Sequence, residues 1–358
     1  MKKVLALMLA LCMTVALCAC GAAPAAPAAS PAADSAADPA AEVPKDVITL
    51  RFADTNTPGD PDYTACTYFA DLVKERTNGQ VVVEIYHSSQ LGSDKAITEA
   101  CMAGTVDIAK CSAGNFTQFS DVLMFCDLPG LFRSMQHMRN VWQDQDFRQK
   151  ITDKMLEDTG MYPLMFPLDA GEPRGIGITT KEIRTPDDMK GVKIRSTGSA
   201  VELALFNSWG ASAISMEFTE VYSGLQQNLI DATYNQAHIL KINSMNEIIK
   251  YFTPTAQSWV TAVKVIGPKA IEKLGGLDSE LFKIVRDAAL EAELYMDELW
   301  ADANVIAYND MADHGIVVVE LTDEEKALWA EKSASIWDQF VGKTIPAEIV
   351  EFVQSVEG

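Results

Sequence analysis

Histidine is scarce in this 358-residue chain: His87, His137, His238 and His314 are scattered, and none pairs with another at metal-ligand spacing. No Gly-x-Ser-x-Gly elbow is present and no cysteine carries a matched catalytic signature, which removes the common routes to nucleophilic catalysis. The Gly-x-Gly at Gly175 and Gly177 is followed by no Lys-Ser or Lys-Thr at Walker spacing, so it is not a phosphate loop. Basic residues are outnumbered, 29 Lys and Arg against 50 Asp and Glu, for a formal charge of −21. Such a surface repels nucleic acid and anionic lipid, so no nucleic-acid partner is expected. Any anion site must then be a local island of arginine and lysine. After the first residues, no stretch reaches the roughly eighteen unbroken apolar residues of a membrane-spanning helix. No internal repeat is visible. Most carboxylates fall on expected solvent faces, and no pair is singled out for glycoside chemistry.

What is present begins with an export signal. Lys2 and Lys3 precede an apolar core at residues 4–17, too short to favour a spanning helix. The core ends in Leu17-Cys18-Ala19-Cys20-Gly21, which looks like a lipobox that would make Cys20 the lipidated first residue of the mature chain. The alternative is an ordinary signal peptide, cut after Ala19 or in the alanine run. Residues 20–45 are almost wholly Ala, Pro, Ser, Asp and Glu, a composition that buries no core and reads as a tether. The remaining chain, about 310 residues, suffices for two domains of ordinary size. Cys66, Cys101, Cys111 and Cys126 lie in the first third of this part; export permits disulfides, and buried free thiols are the other reading.

From Val47 the chain alternates strand and helix. Ile48, Leu50 and Phe52 alternate as a strand, 63–77 carries helical spacing, 81–86 is a strand, a helix follows from about Ser93, and 106–111 is a third strand. This βαβαβ run predicts a mostly parallel sheet with helices on its faces. Residues 161–168 read as a strand crossing between domains, and 178–183 as extended chain. The central stretch is 190–235. Val192 and Ile194 alternate with Lys193 and Arg195, which puts Arg195 at the carboxyl end of a strand, where ligands bind in open α/β sheets. Ser199 is placed to cap a helix running to Trp209 and closed by Gly210, Thr219 to cap a second helix, and 229–235 to form a strand ending in Asn235. Near the end, apolar residues from Leu281 to Ile306 keep helical spacing for about thirty residues, roughly 45 Å of helix. Residues 315–320 read as a last strand, and Thr322 to Glu325 as a capping box.

The order Lys-Gly-Val-Lys-Ile-Arg (190–195), Phe-Thr-Glu-Val-Tyr-Ser-Gly-Leu-Gln (218–226) and Asn235 resembles the solute-receptor subunit of tripartite ATP-independent periplasmic (TRAP) transporters, the DctP-like family. The likeness runs from about Ile48 to the C-terminus. It implies an α/β, two-domain periplasmic-binding-protein fold (type II-like) with a long helix spanning both domains. The expected division is 1–19 signal peptide, 20–45 tether, 46–168 with 260–300 as the first domain, and 169–259 with 301–358 as the second. It further implies an extracytoplasmic receptor that closes by hinge motion on a small organic carboxylate and delivers it to the TRAP permease membrane subunits, with no cofactor.

The resemblance also supplies the site. Arg195 and Arg174 would neutralise the carboxylate and Asn235 would orient it; Thr55, Asn56 and Ser112 would line the cleft from the first domain, with Thr57, Ala113 and Asn115 beside them. Arg174 sits in Gly-Glu-Pro-Arg-Gly-Ile-Gly, which departs from the commoner Gly-x-Arg-x-x-Thr of the family. Each residue has a plainer reading. Arg195 could be a surface arginine, Asn235 a turn residue, Phe218 core rather than ligand packing, and Trp259 a buried indole rather than a platform for a ring. Trp209 reads as packing, and Lys110 as a further cation near the cleft. Sugar acids are favoured because the first-domain loops are rich in hydroxyl and amide groups; C4-dicarboxylates and other organic acids are the alternatives. The competing classes are a receptor of an ABC importer or a sensor, and an exported enzyme acting on a carboxylate.

Overall fold

The computed structural model describes residues 46–166 and 171–358; the expected leader, the tether with Cys20, and the residues at the expected 168/169 domain junction lie outside that range. Among the described residues eleven strands run in chain order: β1 (Ile48–Ala53), β2 (Val81–Tyr86), β3 (Ile108–Ser112), β4 (Tyr162–Met165), β5 (Gly175–Ile178), β6 (Lys193–Ser196), β7 (Ser212–Ser215), β8 (Ala232–Asn235), β9 (Tyr251–Thr253), β10 (Ala262–Ile266) and β11 (Val317–Val318). They form a five-stranded sheet, β2-β1-β3-β10-β4, and a six-stranded sheet, β11-β9-β5-β8-β6-β7.

In the first sheet β1, β2 and β3 are parallel, as the βαβαβ pattern predicts. β10 then enters antiparallel between β3 and β4, with Ala262 opposite Ser112. Alternation in β1 buries Leu50 and Phe52 against Phe69 of the helix Pro61–Arg76. That helix starts where Asp60 accepts from the Asp62 backbone N–H at 2.9 Å with Pro61 in its first turn, both favourable N-terminal chemistry. In the second sheet β8, β6 and β7 are parallel, and β5 runs antiparallel between β8 and β9.

The long helix is Glu280–Asp313, 34 residues, opened by Ser279, whose hydroxyl accepts from the Phe282 N–H at 3.1 Å. Phe282, Val285, Ala288 and Ala292 pack with the first sheet's core, and Ala307 and Met311 with Leu240 and Phe252 beside the second. One helix therefore lies across both lobes. The last helix, Ala347–Ser355, departs from the expected grouping of 301–358 with the second sheet. Its apolar face covers Phe147, stacked on Phe352 at 4.6 Å, and the Val353 carbonyl lies 2.8 Å from His137 Nε2. Both partners belong to the helices that lead into β4.

Local differences have local reasons. Ser199 caps the helix Ala200–Ser208, and Gly210 follows it at φ +82, as expected. Thr219 caps nothing: a 3-10 turn, Phe218–Glu220, runs directly into the helix Val221–Gln226 without a side-chain cap. The extended segment expected at 178–183 is instead β5, a few residues earlier. Thr322 and Glu325 form the capping box. Cys66, Cys101, Cys111 and Cys126 are free and buried, and burial pushes the Cys101 thiol up to about 12. Among the described residues no helix is long and apolar enough to cross a membrane, and no group of side chains could hold a metal ion.

Candidate functional site

The carboxyl ends of β1 and β3 face those of β6 and β8 across a cleft of about 590 Å³, open mouth included. The walls touch where Asn115 Oδ1 accepts from the Gly198 N–H at 3.3 Å. Both sides pack closely there: a Cβ on Gly114 would lie 2.9 Å from the Thr197 hydroxyl, and one on Gly198 2.6 Å from the Gln118 amide, which would have to shift.

Arg195 leaves the end of β6 and donates through Nε to the Met216 carbonyl at 3.0 Å, its guanidinium 5.8 Å from the centre of the Phe218 ring. It is 5% exposed and lines the cleft, and its two terminal nitrogens make no hydrogen bond to the described residues. Burial lowers its pKa; Glu202 works the other way and Arg174 adds to the lowering. An arginine keeps its proton through such a shift, so the result is a fixed, poorly compensated cation.

Arg174 lines the same cleft, but its charge is answered within the protein. Its Nη1 donates to Glu202 Oε1 at 2.6 Å and its Nε to the Trp259 carbonyl at 3.0 Å. Glu202 also accepts from the Thr197 N–H. Asn235, at the end of β8, uses Oδ1 to accept from the Gln236 N–H at 3.0 Å, and its amide nitrogen makes no hydrogen bond to the described residues. The second-lobe wall thus presents one bonded and one open guanidinium beside an open amide.

The first-lobe wall is organised by Asp94. Its carboxylate accepts from the Thr55 hydroxyl at 3.2 Å, the Ser112 N–H at 3.0 Å and the Asn115 amide at 3.1 Å. Asp60 lines the floor, pushed up to about 6 by burial, against the pull of Lys110 and with the push of Asp62. Lys110 does reach the cleft; its ammonium donates to Asn56 Oδ1 at 2.7 Å and lies 3.6 Å from Asp62. Burial works to raise Asp62, but Lys264, at 2.8 Å, and Lys110 outweigh it and hold that carboxylate low.

Nine expected residues therefore line the cleft: Thr55, Thr57, Lys110, Ser112, Asn115, Arg174, Arg195, Phe218 and Asn235. Ala113, Asn56 and Trp259 do not. Asn56 is buried behind the wall, its amide bonded to Lys110 and Cys66, because Lys110 needs an acceptor at that depth. Trp259 turns its indole away to donate to the Phe132 carbonyl at 2.9 Å, and only its backbone serves the site, through Arg174. Asp60, Asp94 and Glu202 were missed as site residues: the expectation of carboxylates on solvent faces fails here, since all three are buried. The cap-like contexts Asp60-Pro61 and Ser93-Asp94 mark their helix starts but not their exposure to a ligand.

An α/β protein with two sheets facing across an arginine-bearing cleft is a binding-protein architecture, and comparison with known proteins agrees. The chain belongs to the bacterial extracellular solute-binding protein family 7 (DctP), whose model matches residues 52–344. Among relatives, the 2,3-diketo-L-gulonate-binding periplasmic protein YiaO of Escherichia coli is 29% identical over 86% of this chain and 92% of its own length. The C4-dicarboxylate-binding periplasmic protein DctP of Rhodobacter capsulatus is 29% identical over 86% and 90%. Among solved structures, a TRAP periplasmic solute-binding protein from Sulfurospirillum deleyianum with bound succinate superposes with a TM-score of 0.80 at 26% identity, covering 87% of this chain and all of that one. One from Xanthobacter autotrophicus with bound β-D-galacturonate gives 0.79 at 25%, covering 86% and all. The chain is thus an extracytoplasmic solute-binding protein, as its sequence predicts.

Proposed function

We propose that the protein is the receptor subunit of a TRAP transporter and binds a sugar acid, closing its lobes on the molecule and presenting it to the membrane permease subunits. The observation that carries this reading is the open fork of Arg195 set opposite a wall of hydroxyl, amide and carboxylate groups. A guanidinium fork matches a carboxylate bidentately. The opposite wall offers Thr55, Ser112 and Asn115 around two carboxylates, Asp60 and Asp94, which accept from hydroxyls and repel a second acid group, while the Lys110 ammonium beside them is bonded to Asn56 and faces Asp62. A hydroxylated acid therefore fits both walls, and a C4-dicarboxylate fits one. Relatives span both classes of ligand by name. Binding, with no turnover, is the whole of the protein's work, and Cys20 supplies the lipid that keeps it at the membrane.

The test is a thermal-shift and calorimetric screen of sugar acids, C4-dicarboxylates and neutral sugars, repeated with Arg195→Ala. A ligand at about a hundred times its dissociation constant stabilises the fold by roughly 2.7 kcal/mol. Stabilisation by sugar acids, absent for neutral sugars and lost in the variant, is the expected result. Equal response in the variant would make Arg195 structural. Recovery of the bound acid chemically unchanged checks for turnover, and labelling of the exported protein with a lipid precursor, lost in Cys20→Ala, checks the anchor.

A further inference from the structure

Outside the cleft, past Phe218, lies a second groove of about 550 Å³ with its mouth included. The two spaces share a wall: Thr55, Thr57, Phe218 and Asn243 line both. The groove's own lining is Ser88, Ser89, Thr219, Tyr222 and Met245. None of these side chains is charged, whereas the inner cleft holds Asp60, Asp94, Lys110, Arg174 and Arg195. The inner space thus selects an acid, and the outer one a neutral, hydroxylated body.

The outer groove has built features. Ser88 and Ser89 stand consecutively at φ 55 and 59, a left-handed region that non-glycine residues seldom occupy and that clusters at functional sites when it persists. The surroundings hold them there: the Ser88 N–H donates to the Asn56 carbonyl at 2.9 Å and the Ser89 N–H to the Asp54 carbonyl at 3.0 Å. Phe218, in the 3-10 turn, and Tyr222, in the helix that follows it, both line the groove. Two aromatic bodies with a hydroxyl-bearing loop opposite form a suitable stacking surface for a sugar ring. On the shared wall the buried Thr57 hydroxyl finds no partner among the described residues.

We propose that this groove is a second subsite, and that the receptor takes a two-ring sugar acid: the acid-bearing unit against Arg195, and a neutral sugar ring beyond Phe218 against Tyr222 and the Ser88-Ser89 loop. The proposal rests on the sugar-acid receptor reading, and its test separates the two. The purified protein is titrated calorimetrically with one-ring acids (D-glucuronate, D-galacturonate) and with two-ring acids in which a uronic acid is linked to a neutral xylose or rhamnose ring. The expected result is a two-ring acid that binds at least as tightly as the best one-ring acid. Thr219→Trp, which fills the groove, and Tyr222→Ala, which removes its stacking face, should each weaken that ligand by about tenfold or more while a one-ring acid changes by less than about twofold. One-ring acids binding while every two-ring acid is at least about tenfold weaker would overturn the subsite and leave the receptor reading intact. So would equal losses for both ligand sizes in Thr219→Trp, which would make the groove only an entrance. No binding by acids of either size would bring down the sugar-acid reading itself.

Discussion

The two walls of the cleft solve different problems with different materials. On the second-lobe wall, charge sits on arginines at or beside strand ends, held by backbone carbonyls: Met216 for Arg195 and Trp259 for Arg174. On the first-lobe wall, the charges are carboxylates that knit neighbouring hydroxyls, amides and lysines together, with Asp94 and Asp62 as hubs. The two arginines repeat the contrast within one wall. Arg174 spends its charge on Glu202, and Arg195 does not. A rigid cation fixes where an acid goes, while the opposing network decides what else the molecule carries. The first is a matter of one guanidinium, the second of many weak contacts.

The contrast between the arginines is the easiest to break. Arg174→Ala strands Glu202, itself 5% exposed, as an uncompensated buried charge. Removing one partner of a buried pair costs on the order of 3–5 kcal/mol, so urea unfolding should show a large loss of stability, partly restored when Glu202→Gln is added. A small loss would mean that solvent reaches Glu202. Arg195→Ala should reverse the pattern. Affinity for a carboxylate ligand should fall by about 2–5 kcal/mol, while the unfolding midpoint without ligand holds or rises as a desolvated charge disappears.

Asp60 sharpens the comparison from the other wall. Its pKa is raised from 3.8 to about 6, so the native protein holds this proton more tightly than the unfolded chain does. The stability this implies is fully present below about pH 3.8 and is lost as pH rises through about 6. Asp60→Asn keeps a side chain able to cap the helix, and should gain on the wild type by on the order of 2 kcal/mol between about pH 4 and pH 7.5. A stability gap that does not move with pH would show that Lys110 fully offsets the burial. The smallest effect belongs to Trp259→Phe. It removes one hydrogen bond to Phe132, costs about 1 kcal/mol of stability, and should leave ligand affinity within about threefold, whereas a larger affinity loss would restore the indole to the site.

Much of this was legible in the chain. Period-2 alternation found β1 and β6, and with β6 came the position of Arg195. Hydroxyl caps found the helix after Ser199 and the one after Thr322. What escaped detection lacked contrast. β7, Ser-Ala-Ile-Ser, has no strong apolar alternation, and its side chains are half-buried or exposed. β9 is three residues long. Thr219 looks like a cap, yet the chain enters the helix through a 3-10 turn that begins before it, so its hydroxyl caps nothing. Asp60, Asp94 and Glu202 read as solvent-facing because, in one dimension, a buried carboxylate differs from an exposed one only by partners far along the chain. Trp259 was misplaced for the converse reason: an indole suits a ring, and equally suits a carbonyl on the Phe132 loop.

The antiparallel insertion of β10 has a consequence for how the molecule is made. The first sheet's place between β3 and β4 is filled by a strand that pairs Ala262 with Ser112, 150 residues earlier. Closing so long a loop is entropically costly and slow, so this pairing comes late in folding. Until β10 has emerged, β3 and β4 are unclosed edges and the first lobe is unfinished. A chain bound for export gains from that delay, since it stays threadable through most of its synthesis and completes its first lobe only when the later part of the sequence has arrived.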